Sequence, residues 1–409
     1  MRLLAATLAL LLAAPLAAEA PLAWRAVDAS TGQIADVAGL EQLARDFPDS
    51  TSVRLRLLNA QLAAGIGEGA LASLAWLKAR GHVFSSRAQA QIPELIGASY
   101  AEAARGLLLP SAEVIVASTV FDTVQAEAGL IETVYVAPNG VEAMATSVSR
   151  RAVFVRNGGD DWDAFTIADA HALSGIAAAP DGNWGWIASA AIDGSPDDPA
   201  RFTGLFELMG DFGKLRRIPA PPGVKVSDLA AGADGTVYAS DPEGGGIYRA
   251  TPGATELSAM VPPGTLRSPQ GLAVSADGVR LYVSDYRYGL AMIDFATGAV
   301  TRLGSDVPAA LDGVDGLWLH NGELIAVQNG TSPMRISAFT LSEDGTRIIG
   351  HRVLEQAHPE WTEPLGGSIA RGALHFVATG QWDRYEQGRL REGMTAIPTV
   401  IRRLTLAPR

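Results

Sequence analysis

Two carboxylates and one amide stand at equivalent positions of a repeated sequence word, and side chains of these types can bind a cation. Six such words occur, and neighbouring words begin 32 to 53 residues apart. Their first residues are Glu142, Ser174, Ser227, Gln270, Asp315 and Leu365. If the words are structural repeats, these residues form one ring, where like charges repel unless something compensates them. Glu142, Gln270 and Asp315 are therefore the candidate oxygen ligands of a hard divalent cation.

The cation that such ligands favour is Ca²⁺, with Zn²⁺ or Mn²⁺ as alternatives. A polar, water-filled channel without an ion is the competing interpretation. The chain has no cysteine, which excludes disulfides, thiolate metal sites and cysteine nucleophiles. Its histidines do not show the spacing of a metal motif, and no G-x-S-x-G nucleophile motif is present.

The elements that must carry this ring are short strands. Each word has an apolar stretch, a turn that often contains Asp-Gly, and a second apolar stretch that ends in a small or acidic residue. The clearest copies are SDLAAGADGTVYASD from Ser227 and QGLAVSADGVRLYVSD from Gln270. Six copies at this spacing predict an all-β fold, a six-bladed β-propeller over residues 110–409, in which each copy supplies the two inner strands of a blade.

Residues 21–109 have a helical pattern instead. Apolar residues recur at helical spacing, and Pro48-Asp49-Ser50 indicates the end of one helix and the cap of the next. The segment resembles a single helix pair of the tetratricopeptide type, which cannot bury a core alone. We expect it to pack on the propeller, and a protein partner bound through this small helical segment is an alternative use of its surface.

Residues 1–20 are predicted to be a signal peptide, with Arg2 at its start, an apolar stretch over 3–16, and Ala18-Glu19-Ala20 as a cleavage pattern. Cleavage after Ala18 or after Ala20 is compatible with this pattern. The apolar stretch is too short to span a membrane. The mature protein is therefore expected to be periplasmic or secreted, without membrane insertion. A net charge of −12 and the lack of a Lys/Arg cluster argue against nucleic-acid binding.

The words over residues 141–382 resemble those of the senescence-marker-protein/gluconolactonase (regucalcin-like) propellers. In that family a Glu of blade one, an Asn of blade four and an Asp of blade five bind one divalent metal. Glu142 in GVEAMA and Asp315 in VDGLWL match two of these positions, and Gln270 in PQGLAVS replaces the Asn. The resemblance implies that Asp315 is also the general base of lactone hydrolysis.

The resemblance further implies a substrate-binding word in blade three, R-x-N-D in the family. Here that word reads Lys225-Val226-Ser227-Asp228, so Lys225, Ser227 and Asp228 are the candidate substrate-binding residues. Lys225 stands where the family has arginine, so a point charge replaces a forked guanidinium group. Ser227 stands where the family has asparagine, so the side-chain amide is missing. The chain is expected to be a metal-dependent hydrolase of a small-molecule lactone or related ester. A non-catalytic exported propeller that binds a small ligand or a protein is the alternative.

Two further groups are weaker candidates. Trp382, Arg384 and Tyr385 either form part of a ligand wall or close the propeller ring, and ring closure is the favoured interpretation. Asp285-Tyr286-Arg287 follows a strand end and is a candidate to face the cavity from blade four.

Overall fold

The computed structural model describes residues 22–159, 161–180, 185–192, 195, 198–208 and 214–407. The predicted signal peptide over 1–20 lies outside these residues. Six helices come first in the described chain: α1 (Ala29–Gln33), α2 (Val37–Asp46), α3 (Thr51–Ala63), α4 (Gly67–Ala79), α5 (Ser86–Leu95) and α6 (Ala101–Leu107). Ser50 caps α3 by accepting a hydrogen bond from the Val53 N–H, as the Pro-Asp-Ser pattern predicts. None of the described helices is both long and apolar enough to span a membrane.

Short strands follow the helices, and β1 (Thr119–Val124) is the first of them. Blade one contains β2 (Ile131–Val136), β3 (Glu142–Ser147), β4 (Ala152–Asn157) and β5 (Asp163–Thr166). Blade two contains β6 (Ala172–Ala178), β7 (Gly185–Ala190), β8 (Gly204–Leu208) and β9 (Leu215–Pro219). Blade three contains β10 (Leu229–Ala231), β11 (Val237–Asp241), β12 (Gly246–Ala250) and β13 (Ser258–Val261).

The remaining strands complete three more blades. Blade four contains β14 (Pro269–Val274), β15 (Arg280–Asp285), β16 (Gly289–Asp294) and β17 (Val300–Arg302). Blade five contains β18 (Gly304–Ser305), β19 (Gly316–His320), β20 (Glu323–Gln328), β21 (Arg335–Leu341) and β22 (Arg347–Gln356). The last strands are β23 (Gly367–Ala370), β24 (Ala373–Val377), the small hairpin β25 (Tyr385–Glu386) and β26 (Arg389–Leu390), and β27 (Thr399–Thr405).

Blade six joins the two ends of the β-rich chain. Its strand order is β1-β27-β24-β23, so the first strand of the chain pairs antiparallel with the last one. This closure ties the ring without leaving a gap between first and last blades. The six-bladed propeller predicted from the repeated words is confirmed over the described residues.

One strand of each blade lies next to the channel. The strands β2, β6, β10, β14, β19 and β23 contact their counterparts in the neighbouring blades and are the innermost strands. They run in the same sense, and we call the end of the channel where they begin the mouth. In five of the six repeated words the predicted pair is indeed the two inner strands.

The word from Glu142 is the exception, and its predicted position is wrong. It forms β3 and β4, the second and third strands of blade one. Glu142 pairs with Asn157 and follows the turn at Asn139-Gly140, so it lies at the end of the channel opposite the mouth. The reason is that alternating apolar residues mark a strand without marking its distance from the propeller axis.

Apolar side chains between adjacent blades form the core. Between blades five and six, for example, Ile325 and Val327 of β20 pack with Leu374 and Phe376 of β24, and all four are fully buried or nearly so. The inner strands therefore contain almost continuous apolar runs, and each blade is stabilised by burial against the next.

The helical segment over 22–107 packs on the propeller, as predicted. Phe47 is 1% exposed and lies 4.8 Å, ring to ring, from Tyr288 of the loop between β15 and β16. The residues before α1 extend blade four, where the Trp24 N–H donates to the Val300 carbonyl over 3.0 Å. The contacts fall on the rim and the mouth side of blades four and five, so the helices stand beside the mouth.

Candidate functional site

The channel just inside the mouth is narrow. Residues from all six innermost strands, or from the positions just before them, line its cavity: Thr133, Ile176, Asp228, Leu229, Gly271, Leu272, Gly316, Leu317, Trp318, Gly366 and Gly367. The cavity offers about 20 Å³, which is room for little more than one water molecule. A ligand larger than water must therefore bind above it, among the side chains at the mouth.

The backbones of neighbouring innermost strands touch at the mouth. The Gly271 N–H donates to the Asp315 carbonyl over 2.9 Å, and the Gly175 N–H donates to the Ser227 carbonyl over 3.0 Å. A Cβ atom on Gly271 would lie 2.5 Å from the Leu317 nitrogen and 2.9 Å from the Asp315 oxygen. Glycine at this position is thus required by the close approach of blades four and five.

Asp228 is the carboxylate that faces this cavity. It directly precedes β10, and its N–H donates to the Ser240 hydroxyl over 3.1 Å. Desolvation in the narrow channel raises the pKa of Asp228 from 3.8 to about 7. A carboxyl group of this kind exists in both protonation states near neutral pH, which general acid–base catalysis needs.

Asp315 and Gln270 lie where the sequence predicts them. Asp315 directly precedes β19, and Gln270 is the second residue of β14, so both stand at the mouth end of innermost strands. The Gln270 amide Nε2 donates to the Ser268 hydroxyl over 3.4 Å. The catalytic role of Asp315 stays a prediction.

Glu132 takes the position that the sequence reading gave to Glu142. It is the second residue of β2 and stands at the mouth end of blade one. The Trp382 indole Nε1 donates to the Glu132 carboxylate over 2.8 Å. Sequence reasoning missed Glu132, although the Asn139-Gly140 turn could have revealed it, since the innermost strand precedes the first tight turn of a blade.

A second group of polar side chains lies between blades four, five and six. The Tyr286 hydroxyl donates to the Asn329 amide oxygen over 2.8 Å. Burial, and after it the negative charges of Asp315 and Glu363, raise the pKa of Tyr286 well above its ordinary value. The phenol is therefore protonated at neutral pH, and these charges show that Tyr286 stands near both carboxylates.

The other two predicted substrate-binding residues are placed differently from Asp228. Ser227 is 8% exposed, and its backbone carbonyl accepts from Ser174 Oγ over 3.1 Å. Lys225 lies in the loop before β10, and its Nζ pairs with the Glu243 carboxylate over 2.8 Å. Ser227 thus holds strands together, whereas Lys225 is itself one partner of a partly exposed ion pair with Glu243. Substrate contact by either residue stays a prediction.

The predicted metal ligands do not come together. Gln270 and Asp315 are at the mouth, whereas Glu142 is at the opposite end of the channel. Within the described ranges, no three His, Asp or Glu side chains form a group that could hold a metal ion. The donor set that the sequence predicts for Ca²⁺ therefore does not fit this arrangement.

Comparisons with known proteins give the following picture. No model of a known protein family matches the chain, and no curated protein sequence matches it. A gluconolactonase of Xanthomonas campestris is similar in structure, with 14% identity over 72% of this chain and 98% of that chain, at a TM-score of 0.46. The aldose sugar dehydrogenase of Streptomyces coelicolor has 16% identity over 70% and 97%, at a TM-score of 0.46.

A luciferin-regenerating enzyme has 10% identity over 72% of this chain and 95% of that chain, at a TM-score of 0.48. The names of these proteins denote different activities, and at such identities the likeness does not carry an activity over. The propeller assignment rests on the strand order of the chain itself. The solved structures similar to this chain include gluconolactonases, the family that its repeated words resemble.

Proposed function

We propose that the mouth is the active site of a hydrolase that opens a small lactone or a related ester. The supporting observation is the position of Asp228, a carboxyl group that titrates near neutral pH and faces a cavity lined from all six blades. A narrow, partly apolar cavity favours the neutral carboxyl, and we place the substrate above this cavity, at the mouth.

Asp228 can serve both proton transfers of the reaction. As a carboxylate it takes a proton from the water that attacks the carbonyl carbon, which forms the tetrahedral intermediate. When this intermediate collapses, the bond to the ring oxygen breaks and the protonated Asp228 returns its proton to that oxygen. The sum is one lactone and one water giving one hydroxy acid, with Asp228 regenerated.

Asp315 is the second carboxylate of the proposed mechanism. It precedes the innermost strand of blade five, and its backbone is fixed by the bond from Gly271. We assign it the orientation of the attacking water, and it is the alternative general base. The pH dependence of the rate in D228N and D315N separates these two assignments, because the variant that lacks the base loses the ascending limb of the pH–rate profile.

No step of this mechanism uses a metal ion, because the predicted ligands Glu142, Gln270 and Asp315 are not assembled at one end of the channel. Metal dependence is tested separately by elemental analysis of the purified protein and by thermal shift with Ca²⁺, Mn²⁺ and Zn²⁺. A bound ion that E142A does not release would point to a donor set at the mouth.

The direct test is hydrolysis of a panel of five- and six-membered lactones in a pH-stat. We expect D228N to lower kcat by about a hundredfold or more, the usual contribution of a general acid–base group. The matched control is D277N, which changes a surface aspartate of the turn between β14 and β15. Equal activity of D228N and the wild type would refute the role of Asp228.

Ligand binding without catalysis is the alternative function of the same mouth. A wild type that hydrolyses no lactone of the panel but binds the corresponding lactams would support it.

A protein partner on the helical segment is a further proposal, tested by pull-down with L95A, because the Leu95 side chain is 60% exposed. Export to the periplasm or the medium is also proposed, and cell fractionation tests it.

A further inference from the structure

We propose that Tyr286 contacts the ligand at the mouth and that the helical segment over 22–107 is the scaffold that holds Tyr286 there. This inference rests on the proposed site at the mouth and adds a residue and a chain segment to it. It gives the helical segment a role within the site, beyond covering apolar surface of the propeller.

Tyr286 stands at the mouth with its hydroxyl group in a fixed direction. Its proton is donated to the Asn329 amide oxygen over 2.8 Å, so the phenol oxygen presents its lone pairs to whatever binds beside it. The side chain is partly exposed, and Asp315 and Glu363 are close enough for their charges to act on it. A ligand that reaches Asp315 therefore comes near Tyr286 as well.

The ring of Tyr286 occupies a place shaped by a glycine. A Cβ atom on Gly330 would lie 2.7 Å from the Cζ and Oη atoms of Tyr286. The Tyr286 carbonyl accepts from the Gly313 N–H over 2.8 Å, which ties blade four to the connection that leads into blade five. The tyrosine is thus packed in one position, as a group that orients a ligand must be.

The loop that carries Tyr286 turns around a buried aspartate. The Asp285 carboxylate is fully buried and accepts from the N–H groups of Arg267, Arg287 and Tyr288 over 2.6, 3.1 and 3.3 Å. These bonds fix the backbone on both sides of Tyr286. The neighbouring Tyr288 ring packs on Phe47 of the helical segment.

The helical segment holds this loop by two polar connections at the start of α3. The Ser50 hydroxyl donates to the Arg287 carbonyl over 2.7 Å. The buried Asp312 carboxylate accepts from the N–H groups of Thr51 and Ser52 over 2.8 and 2.7 Å. Since Asp312 precedes the glycine that binds the Tyr286 carbonyl, both connections lead to Tyr286.

The scaffold is tested by hydrogen–deuterium exchange of full-length protein. S50A removes the bond to Arg287 together with the cap of α3. S85A is the matched control, because Ser85 caps α5 by the same kind of bond to Ala88. We expect exchange in peptides covering 286–288 to rise about fivefold or more in S50A only, since local opening follows lost hydrogen bonds. No difference between the two variants would overturn the scaffold role.

The ligand contact is tested with Y286F, and Y288F is the control for loss of a hydroxyl in the same loop. With a hydroxylated lactone that the wild type hydrolyses, whose hydroxyl can donate to the phenol oxygen, Y286F is expected to raise KM about three- to tenfold, the value of one hydrogen bond, with kcat within about twofold. Binding of the corresponding lactam, measured by saturation-transfer NMR, is expected to weaken by the same factor. If Tyr286 were purely structural, Y286F would lower stability without changing KM and kcat to different extents.

The outcomes separate the two proposals. Hydrolysis that Y286F leaves unchanged would overturn the role of Tyr286 and leave the hydrolase standing. Lactam binding that Y286F weakens, in a protein without lactonase activity, would support Tyr286 and refute the hydrolase. A wild type that neither binds the lactams nor hydrolyses the lactones would overturn both proposals.

Discussion

The indole Nε1 of Trp382 donates a hydrogen bond to the Glu132 carboxylate over 2.8 Å, and this bond joins the last blade of the propeller to the first. This polar contact closes the ring at the mouth. The strands β1 and β27 close the ring separately, by backbone pairing. The favoured interpretation of Trp382, closure of the ring, therefore agrees with its contact, and the same contact orients a carboxylate of the mouth.

Replacing Trp382 tests this bond. W382F removes the N–H donor from a partly buried carboxylate, so we expect the free energy of unfolding to fall by about 1.5–3 kcal/mol. The control is W361F, because the Trp361 indole N–H has no hydrogen-bond partner among the described residues. Urea unfolding of both variants gives the comparison, and a smaller loss in W382F than in W361F would contradict the prediction.

Separate replacement of Glu132 and of Glu142 tests which of the two carboxylates belongs to the mouth. We expect E132Q to change kcat/KM for lactone hydrolysis by about tenfold, because it alters charge beside the substrate. E142Q, at the opposite end of the channel, is expected to leave kcat/KM within about twofold. If E142Q had the larger effect, the site would lie at the other end of the propeller.

Asp228 makes stability depend on pH. Its folded-state pKa of about 7 lies above the ordinary 3.8, so the folded protein keeps a proton there that the unfolded chain releases. This stabilisation is complete below about pH 4 and is lost as the pH rises through about 7. Since asparagine cannot ionise, D228N is expected to gain about 2–4 kcal/mol over the wild type between about pH 4 and pH 8.

The measurement is urea unfolding of D228N and the wild type at several pH values. D277N is the control, since hydrogen bonds, chiefly from the Ser275 side chain, lower the pKa of Asp277. The stabilising effect of ionised Asp277 is lost only as the pH falls below the ordinary carboxyl range. The difference in unfolding free energy between D277N and the wild type should therefore be flat above about pH 5. If the difference in unfolding free energy between D228N and the wild type did not change with pH, the buried environment described for Asp228 would be contradicted.

Gly271 tests the close approach of the innermost strands. G271A would force a methyl group against the Leu317 nitrogen, 2.5 Å from the position of the Cβ atom. We expect a loss of about 1–3 kcal/mol in the free energy of unfolding, typical of overpacking. G106A is the control, because a Cβ atom there meets nothing within 4 Å and α6 should gain from alanine. Thermal unfolding in which G271A equals or exceeds the wild type would contradict the prediction.

Much of the fold follows from local patterns. The alternation of apolar residues and the Asp-Gly turns predict strands such as β14 and β15, because each needs only a few neighbouring residues to form. The Ser50 cap is local in the same way. Asp315 and Gln270 were found at the mouth because both open words whose first strand is innermost.

Other parts of the site depend on contacts between distant residues. The Tyr286–Asn329 bond joins two blades, and Trp382 reaches Glu132 across 250 positions of the chain. No spacing rule connects such residues, since their distance is set by how whole blades pack. The raised pKa of Asp228 has the same origin, because desolvation depends on all six innermost strands around it.

The sequence by itself determined that the chain repeats a four-strand unit after a helical segment, since repetition, turns and caps are written in neighbouring residues. The tertiary structure alone decided which strand of blade one faces the channel, and so placed Glu132 at the mouth and Glu142 at the other end. A strand carries its alternation wherever it lies in a blade, whereas its distance from the axis is fixed only when six blades close into a ring.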